Sequence, residues 1–240
     1  MQRPSRPFPP AAGFTLMEMS VVLVIIALIL GAVSVGRDVY RSAEAERIGS
    51  EFVQGWMVAY DRHAQQSGLV PRDNVANPTG RINGDGSELC DGAGSATLRN
   101  AMLERGVALP QGRAEGMESF YVYRDSQGNP QQLQVCFATV NDWAEPQNGG
   151  SYSGRVRNVM VLKGLTPELA NQLDARIDGR VDARFGRLRE ATTGAVKYNL
   201  TSAIGSPPPE NPWSRDDTHT RDGRLDGQVQ VLTGYLRMNQ

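Results

Sequence analysis

The chain opens with a long apolar run that passes into an amphipathic helical pattern. Residues 14–35 are almost wholly apolar, and Glu18 is the one charge among them. As an α-helix these 22 residues would extend about 33 Å, enough to cross a bilayer. No proline interrupts residues 14–66. The pattern predicts one helix over 14–66, with an apolar part at 14–35 that is long enough to span a membrane and an amphipathic part at 36–66.

The amphipathic part carries one apolar stripe at near-helical spacing, formed by Val39, Ala43, Phe52, Trp56 and Tyr60. Charged residues occupy the other faces of the same helix. Such a stripe is typical of a helix that packs on a folded domain. We therefore interpret it as a face directed to a core.

Strand patterns follow, after a loop rich in Gly, Asn, Asp and Pro at 71–95 and a short helix at 96–105. The predicted strands are Ser119–Arg124, Gln132–Thr139, Arg155–Leu162, Ala195–Leu200 and Gln228–Leu236. The sum is an α+β fold, in which the long helix lies on an antiparallel sheet and residues 67–240 form the head.

A further helix is predicted from its capping residues. Thr166 is a good N-cap, Pro167 suits the first turn, and Asp178-Gly179 ends the pattern. Its apolar stripe predicts a core-facing side, and comprises Leu165, Leu169, Leu173 and Ile177. The alternating acids and arginines at 174–184 are interpreted as a solvated charged surface.

The proline-rich and charged segment 205–227 is expected to be an exposed excursion between the last two strands. It is a candidate contact for a neighbouring subunit or a ligand, and a simple spacer is the alternative. Asp216, Asp217, Asp222 and Asp226 hint at a calcium loop, but they lack the final glutamate of an EF-hand. A polar turn is the favoured interpretation.

Composition excludes several classes of function. The 25 basic and 26 acidic residues are spread along the chain and give a net charge of −1, so nucleic acid is not expected as the main partner. The two histidines, His63 and His219, lack metal-ligand spacing to the cysteines, and no nucleophile elbow or phosphate loop is present. We expect no enzyme, no cofactor and no metal site; a membrane-anchored enzyme remains the remote alternative.

Three kinds of N-terminal segment fit an apolar run. A secretory signal peptide would have a shorter core and a small-residue cleavage site, for which 32–34 is a weak candidate. A plain signal anchor fits the length but leaves Glu18 unexplained. An ionisable residue inside an apolar span is costly and indicates a function with a charged partner.

One short segment resembles the cleavage and methylation motif of type IV prepilins and type II secretion pseudopilins. It is Gly13-Phe14-Thr15-Leu16-Met17-Glu18, and the apolar run follows it at once. The resemblance implies a leader peptide at residues 1–13, cleavage between Gly13 and Phe14, and N-methylation of Phe14. It also implies that Glu18 neutralises the N-terminal amine of a neighbouring subunit. Many family members have a proline in the apolar run; this chain has none, although Gly31 and Gly36 can soften the helix.

The resemblance implies a pilin-like structural protein, by its size a minor pilin. Its expected partners are itself and other pilins in a helical filament, prepilin peptidase, and the inner-membrane assembly platform. Before assembly one membrane span would hold a periplasmic head; afterwards the subunit would lie in a cell-surface or periplasm-spanning filament. The alternatives are a type II secretion pseudopilin and a tip-located adhesin or DNA-binding minor pilin, the one route by which nucleic acid would be a partner.

Cys90 and Cys136 are the two cysteines of the chain. In a cytosolic protein they would be free thiols, whereas in an exported protein one disulfide is favoured. Since the resemblance implies a periplasmic head, we predict that Cys90 and Cys136 pair, which would tie the loop after the long helix to a strand.

Overall fold

The structure is a computed structural model that describes residues 13–92, 97–147, 152–191, 211–224 and 227–239. The chain forms two compact units, Met1–Ala43 and Glu44–Gln240. The first unit, where described, is the N-terminal part of the long helix, and the second comprises the rest of that helix and the α+β head.

The long helix has three consecutive parts. Helix α1 spans Leu16–Arg47, a π-helical segment spans Ile48–Val53, and helix α2 spans Gln54–Ser67. It ends at Gly68, which adopts the left-handed conformation with φ of 69° and donates its N–H to the carbonyl of Ala64. The predicted long helix is confirmed.

One face of this helix is buried from Ile48 onward. Ile48, Phe52, Trp56 and Tyr60 are each 0–1% exposed and follow one another at intervals of four residues. In an α-helix, four residues advance about 40° beyond a full turn, so a strict spacing of four would drift around the helix. The wider π-helical turn offsets this drift. Val39 and Ala43 are exposed, so the buried stripe is shorter than the sequence pattern indicated.

The head contains one antiparallel sheet with the strand order β1-β2-β3-β5-β4. The strands are β1 Phe120–Arg124, β2 Pro130–Pro146, β3 Tyr152–Leu165, β4 Leu188–Glu190 and β5 Leu232–Arg237.

The first three predicted strands and the last are confirmed, although β5 begins at Leu232 instead of Gln228. Before it, Val229 forms an isolated bridge with Thr220. The predicted strand Ala195–Leu200 lies outside the described residues. Strand β4 was not predicted.

The described part of the head also contains two shorter α-helices. Helix α3 spans Thr97–Leu103, and helix α4 spans Pro167–Asp178. The Thr166 hydroxyl accepts a hydrogen bond from the N–H of Leu169 at 3.3 Å, and Gly179 ends the helix in the left-handed conformation. Both predicted caps are confirmed. The leucine stripe faces the core, as predicted, through Leu165, Leu169 and Leu173, with Ile177 packed at its margin.

The main core lies between the helical face and the sheet. Phe52 packs on Tyr121 with ring centroids 5.3 Å apart, and Trp56 and Tyr60 pack on Phe137 at 6.2 and 5.1 Å. Neighbouring positions on a strand face opposite sides of a sheet, so Cys136 belongs to a second cluster. That cluster also contains Val140, Trp143, Val159 and Val161.

The acids that follow the leucine stripe are not a solvated surface. Asp174 is fully buried and Asp182 is 4% exposed. Asp174 Oδ2 accepts hydrogen bonds from the N–H of Asp182 at 2.8 Å and from the indole of Trp213 at 3.1 Å. These acids order the chain after α4, because their carboxylates satisfy backbone and side-chain donors that burial would otherwise leave unpaired.

Asn211, Trp213 and Asp217 are anchored in the head, which corrects the expectation of an exposed excursion for these three residues, whereas Pro212 and residues 214–216 are exposed, as expected. Asn211 is 4% exposed and donates to both oxygens of Asp182 at 3.1 Å. Ser214 donates to Glu190, and Asp217 accepts from the N–H of Glu168 at 2.9 Å in the first turn of α4. These contacts attach the described start of this segment to the head.

Candidate functional site

A reciprocal pair of side chains begins the long helix. Glu18 Oε2 accepts hydrogen bonds from the N–H of Thr15 at 2.8 Å and from its hydroxyl at 2.9 Å. In return the Thr15 hydroxyl accepts from the N–H of Glu18 at 3.2 Å. This arrangement is a capping box, which satisfies helix-end donors that have no partner within the helix. It gives Glu18 a local role that the sequence interpretation missed, although the Thr-x-x-Glu spacing would have revealed it.

The peptide bond predicted for cleavage lies just before that box. Gly13 and Phe14 precede the helix and have no regular secondary structure. Nothing lies within 4 Å of the position that a Cβ atom would occupy on Gly13, and the Phe14 side chain is 83% exposed. No described residue therefore obstructs approach to this bond.

The apolar run offers hydrophobic side chains on every face. Its large apolar residues from Leu16 to Val35 are 46–93% exposed. The helix Leu16–Ser67 contains a window of mean hydropathy 2.7, so by length and composition it can cross a membrane. A helix that is apolar all round needs an apolar environment, which a bilayer or the centre of a helical bundle provides.

Comparison with known protein families identifies this segment. Residues 9–34 match the model of the prokaryotic N-terminal methylation motif, the prepilin-type motif. This segment is therefore similar to the N-terminus of type IV pilins and pseudopilins. Searches among curated proteins and among solved structures found no match.

The motif implies a pilin or pseudopilin that is processed by prepilin peptidase and assembles with other pilins. Its single N-terminal apolar helix is consistent with an inner-membrane prepilin that later enters a filament. Proteins of this family are structural and typically not enzymes. The match covers about a tenth of the chain, and the long helix with its five-stranded sheet extends the likeness to the fold.

Cys90 and Cys136 form a disulfide in the head, as the sequence predicted, with their Cα atoms 4.6 Å apart. The backbone beside it pairs Leu89 with Phe137 through hydrogen bonds of 2.7 and 3.0 Å. The loop after the long helix is thus attached to β2 by a covalent bond and by backbone pairing.

A metal site finds little support among the described residues. Glu88, Cys90 and Cys136 are the one group of potential ligands close enough to share an ion. Both sulfur atoms are consumed by the disulfide, and a thiolate is the form that binds metals. Of the partial calcium pattern, Asp217 accepts a hydrogen bond from Glu168 N–H in the first turn of α4, and Asp226 lies outside the described residues.

The turn after α4 is held by a second acid that the sequence interpretation treated as surface. Asp178 accepts hydrogen bonds from the N–H groups of Arg187 and Leu188 at 2.8–2.9 Å. Gly186 adopts a φ of 91°, and a Cβ atom there would collide with the Asp178 carboxylate. These hydrogen bonds to Asp178 position the backbone at the start of β4.

Proposed function

We propose that this protein is a structural subunit of a type IV pilus or pilus-like filament, by its size a minor pilin. The observation that carries the proposal is the Gly13–Glu18 motif at the start of an exposed apolar helix. In this proposal residues 1–13 are the leader, 14–66 the anchoring and packing helix, and 67–240 the head. Prepilin peptidase cuts after Gly13 and the new N-terminus at Phe14 is methylated.

Glu18 supplies the charge for subunit pairing. Both hydrogen bonds that it receives end on Oε2, and no described residue donates to Oε1. After cleavage, the amine of Phe14 in a neighbouring subunit can bind that oxygen. A carboxylate and an ammonium in an apolar bundle each cost several kcal/mol when unpaired, so pairing favours one axial register.

The proposed location follows from the same helix. The apolar part holds the subunit in the inner membrane with the head in the periplasm, where an assembly platform can feed it into a growing filament. Disulfide formation supports export, because disulfides persist in oxidising compartments.

Mass spectrometry of the mature protein tests the processing step. The expected N-terminus is N-methylated Phe14. An N-terminus near Val35 would indicate signal-peptide cleavage, and an intact Met1 would indicate a plain anchor. Either outcome would overturn the proposal.

A pseudopilin of a type II secretion system is the alternative assembly for the same motif, and deletion of the gene distinguishes the two. Loss of surface pili with normal protein secretion supports the pilus. Loss of secretion with normal surface pili supports the pseudopilin.

A further inference from the structure

The two sulfur atoms of the disulfide lie in different surroundings. Cys90 is partly exposed, whereas Cys136 is fully buried. Cys136 sits on β2 in an apolar cluster with Val140, Trp143, Val159 and Val161. A thiolate, the nucleophilic form of cysteine, is disfavoured in apolar surroundings and favoured beside a cation.

A cation lies beside the exposed sulfur. Lys163 Nζ is 3.8 Å from Cys90 Sγ and 2.8 Å from Glu88 Oε2. Its side chain is 40% exposed, so its field is partly screened by water. The negative charge of Glu88 opposes the stabilisation of a Cys90 thiolate by Lys163. Substitutions of Glu88 and Lys163 are therefore expected to shift the ionisation of Cys90 in opposite directions.

Other ionisable groups pack against the apolar cluster. Arg189 lies over the Trp143 ring, 4.1 Å from its centroid, and donates to the carbonyl of Ala144. Burial, with smaller effects of Glu88 and Asp142, raises the pKa of Tyr235, so its phenol is neutral at physiological pH. The cation that lies beside a sulfur atom is the Lys163 ammonium, 3.8 Å from Cys90 Sγ.

We propose that Cys90 is the reactive thiol through which the head acquires its disulfide, and that Lys163 stabilises the Cys90 thiolate. The thiolate attacks a disulfide-bonded oxidant, forms a mixed disulfide and releases one thiolate of the oxidant. Cys136 then loses its proton to solvent and attacks Cys90 Sγ, which expels the second thiolate. Two cysteine thiols are oxidised, and one disulfide is reduced to two thiols.

The same asymmetry protects the finished cross-link. An external thiol can reach Cys90, but its attack there must expel Cys136 as a thiolate into the apolar cluster. A poorly stabilised thiolate is a slow leaving group. The disulfide is therefore expected to be reduced slowly.

Single-cysteine variants of the detergent-solubilised full chain test which thiol reacts. Cys136→Ala leaves Cys90 alone, and Cys90→Ala leaves Cys136 alone. At pH 7 we expect iodoacetamide to alkylate Cys90 at least about tenfold faster, because thiolate fraction and access both favour it. Equal rates, or a faster Cys136, would overturn the proposal.

Two charge variants in the Cys136→Ala background test Lys163. Lys163→Gln should raise the midpoint pH of Cys90 alkylation, and Glu88→Gln should lower it. A shift of one pH unit changes the rate at pH 7 by about threefold, since thiolate fraction and intrinsic nucleophilicity act in opposite directions. Lys163→Arg keeps the charge and should retain the original midpoint.

Near-ultraviolet circular dichroism verifies that each variant keeps its folded head. An unchanged midpoint in folded Lys163→Gln protein would refute the role of Lys163. For the two-cysteine protein, reduced and then treated with glutathione disulfide, peptide mapping should find the transient glutathione on Cys90. Glutathione on Cys136 instead would refute the order of attack.

Discussion

At the scale of single residues, Glu18 caps the helix, and the proposed function gives it a second role in subunit pairing that different substitutions can separate from the first. Its carboxylate caps the helix through Thr15, and its charge is available for a neighbouring amine. A glutamine at this position can still accept both hydrogen bonds from Thr15, but it carries no charge. A valine at position 15 removes the cap and leaves the charge in place.

We therefore predict that Glu18→Gln and Glu18→Ala lower incorporation into filaments about equally, whereas Thr15→Val assembles like the parent. An unpaired ammonium in the bundle costs several kcal/mol, which is enough to exclude most of the altered subunits. Immunoblots of sheared filaments measure incorporation, and the membrane fraction controls for expression. Normal assembly of Glu18→Gln would show that the charge pairing is unnecessary.

At the scale of elements, two glycines let the long helix approach its neighbours in the head. A Cβ atom on Gly55 would lie 2.6 Å from Cβ of Pro110. A Cβ atom on Gly49 would lie 3.2 Å from Leu173 Cδ2 in α4. Glycine disfavours a helix interior, so its presence at both positions is explained by close packing.

Gly55→Ala should destabilise the head by about 1–3 kcal/mol, the usual cost of overpacking, despite the better helix propensity of alanine. Gly31→Ala is the matched control, because nothing lies within 4 Å of the corresponding Cβ position. Denaturant unfolding in detergent, followed by tryptophan fluorescence, compares the two. A Gly55→Ala protein as stable as Gly31→Ala would contradict the close approach to Pro110.

At the scale of the whole head, Asp174 connects three distant parts of the chain: α4, the turn at Asp182 and the segment at Trp213. Burial raises the pKa of Asp174 to about 7, and nearby Asp178 and Asp182 add to the effect. In the unfolded chain an aspartate titrates near pH 3.9. The folded state therefore binds the proton more tightly, and this contribution to stability, complete below about pH 4, is lost as the pH rises to about 7.

Asp174→Asn should remove this dependence, because asparagine stays neutral while its carbonyl can accept both hydrogen bonds. Relative to the parent, the variant should gain melting temperature progressively from pH 5 to pH 8. Glu104→Gln, at an exposed position, removes the same charge and serves as the control. A difference in melting temperature that stays constant over this range would contradict the assigned ionisation of Asp174.

Features set by local sequence were predictable. The long helix followed from an apolar run without proline, and α4 followed from Thr166, Pro167 and the glycine that ends it. Features that depend on distant partners were not. From the sequence alone Asp174 is interpreted as a surface acid. Its buried position depends on Trp213, 39 positions away, whose indole donates a hydrogen bond to it. Strand β4 has three residues, too few for an alternating pattern, and its place depends on pairing with β5.

The long helix also has one feature that local sequence predicted and one that it did not. The motif Gly13–Glu18 was evident from residue types and spacing, whereas the π-helical segment Ile48–Val53 was not. Its one trace in the sequence is the strict interval of four between Ile48, Phe52 and Trp56. Recognising it requires knowing that all three are buried on one face, which is a property of the folded head.

The redox state of Cys90 and Cys136 can report whether the head of each copy of the protein has crossed the membrane. Copies whose heads are still on the reducing side of the membrane would carry two thiols, and translocated copies would carry none. Non-reducing electrophoresis with a bulky thiol label would then count the two populations in living cells. Export could thus be timed separately from leader removal and from incorporation into a fibre.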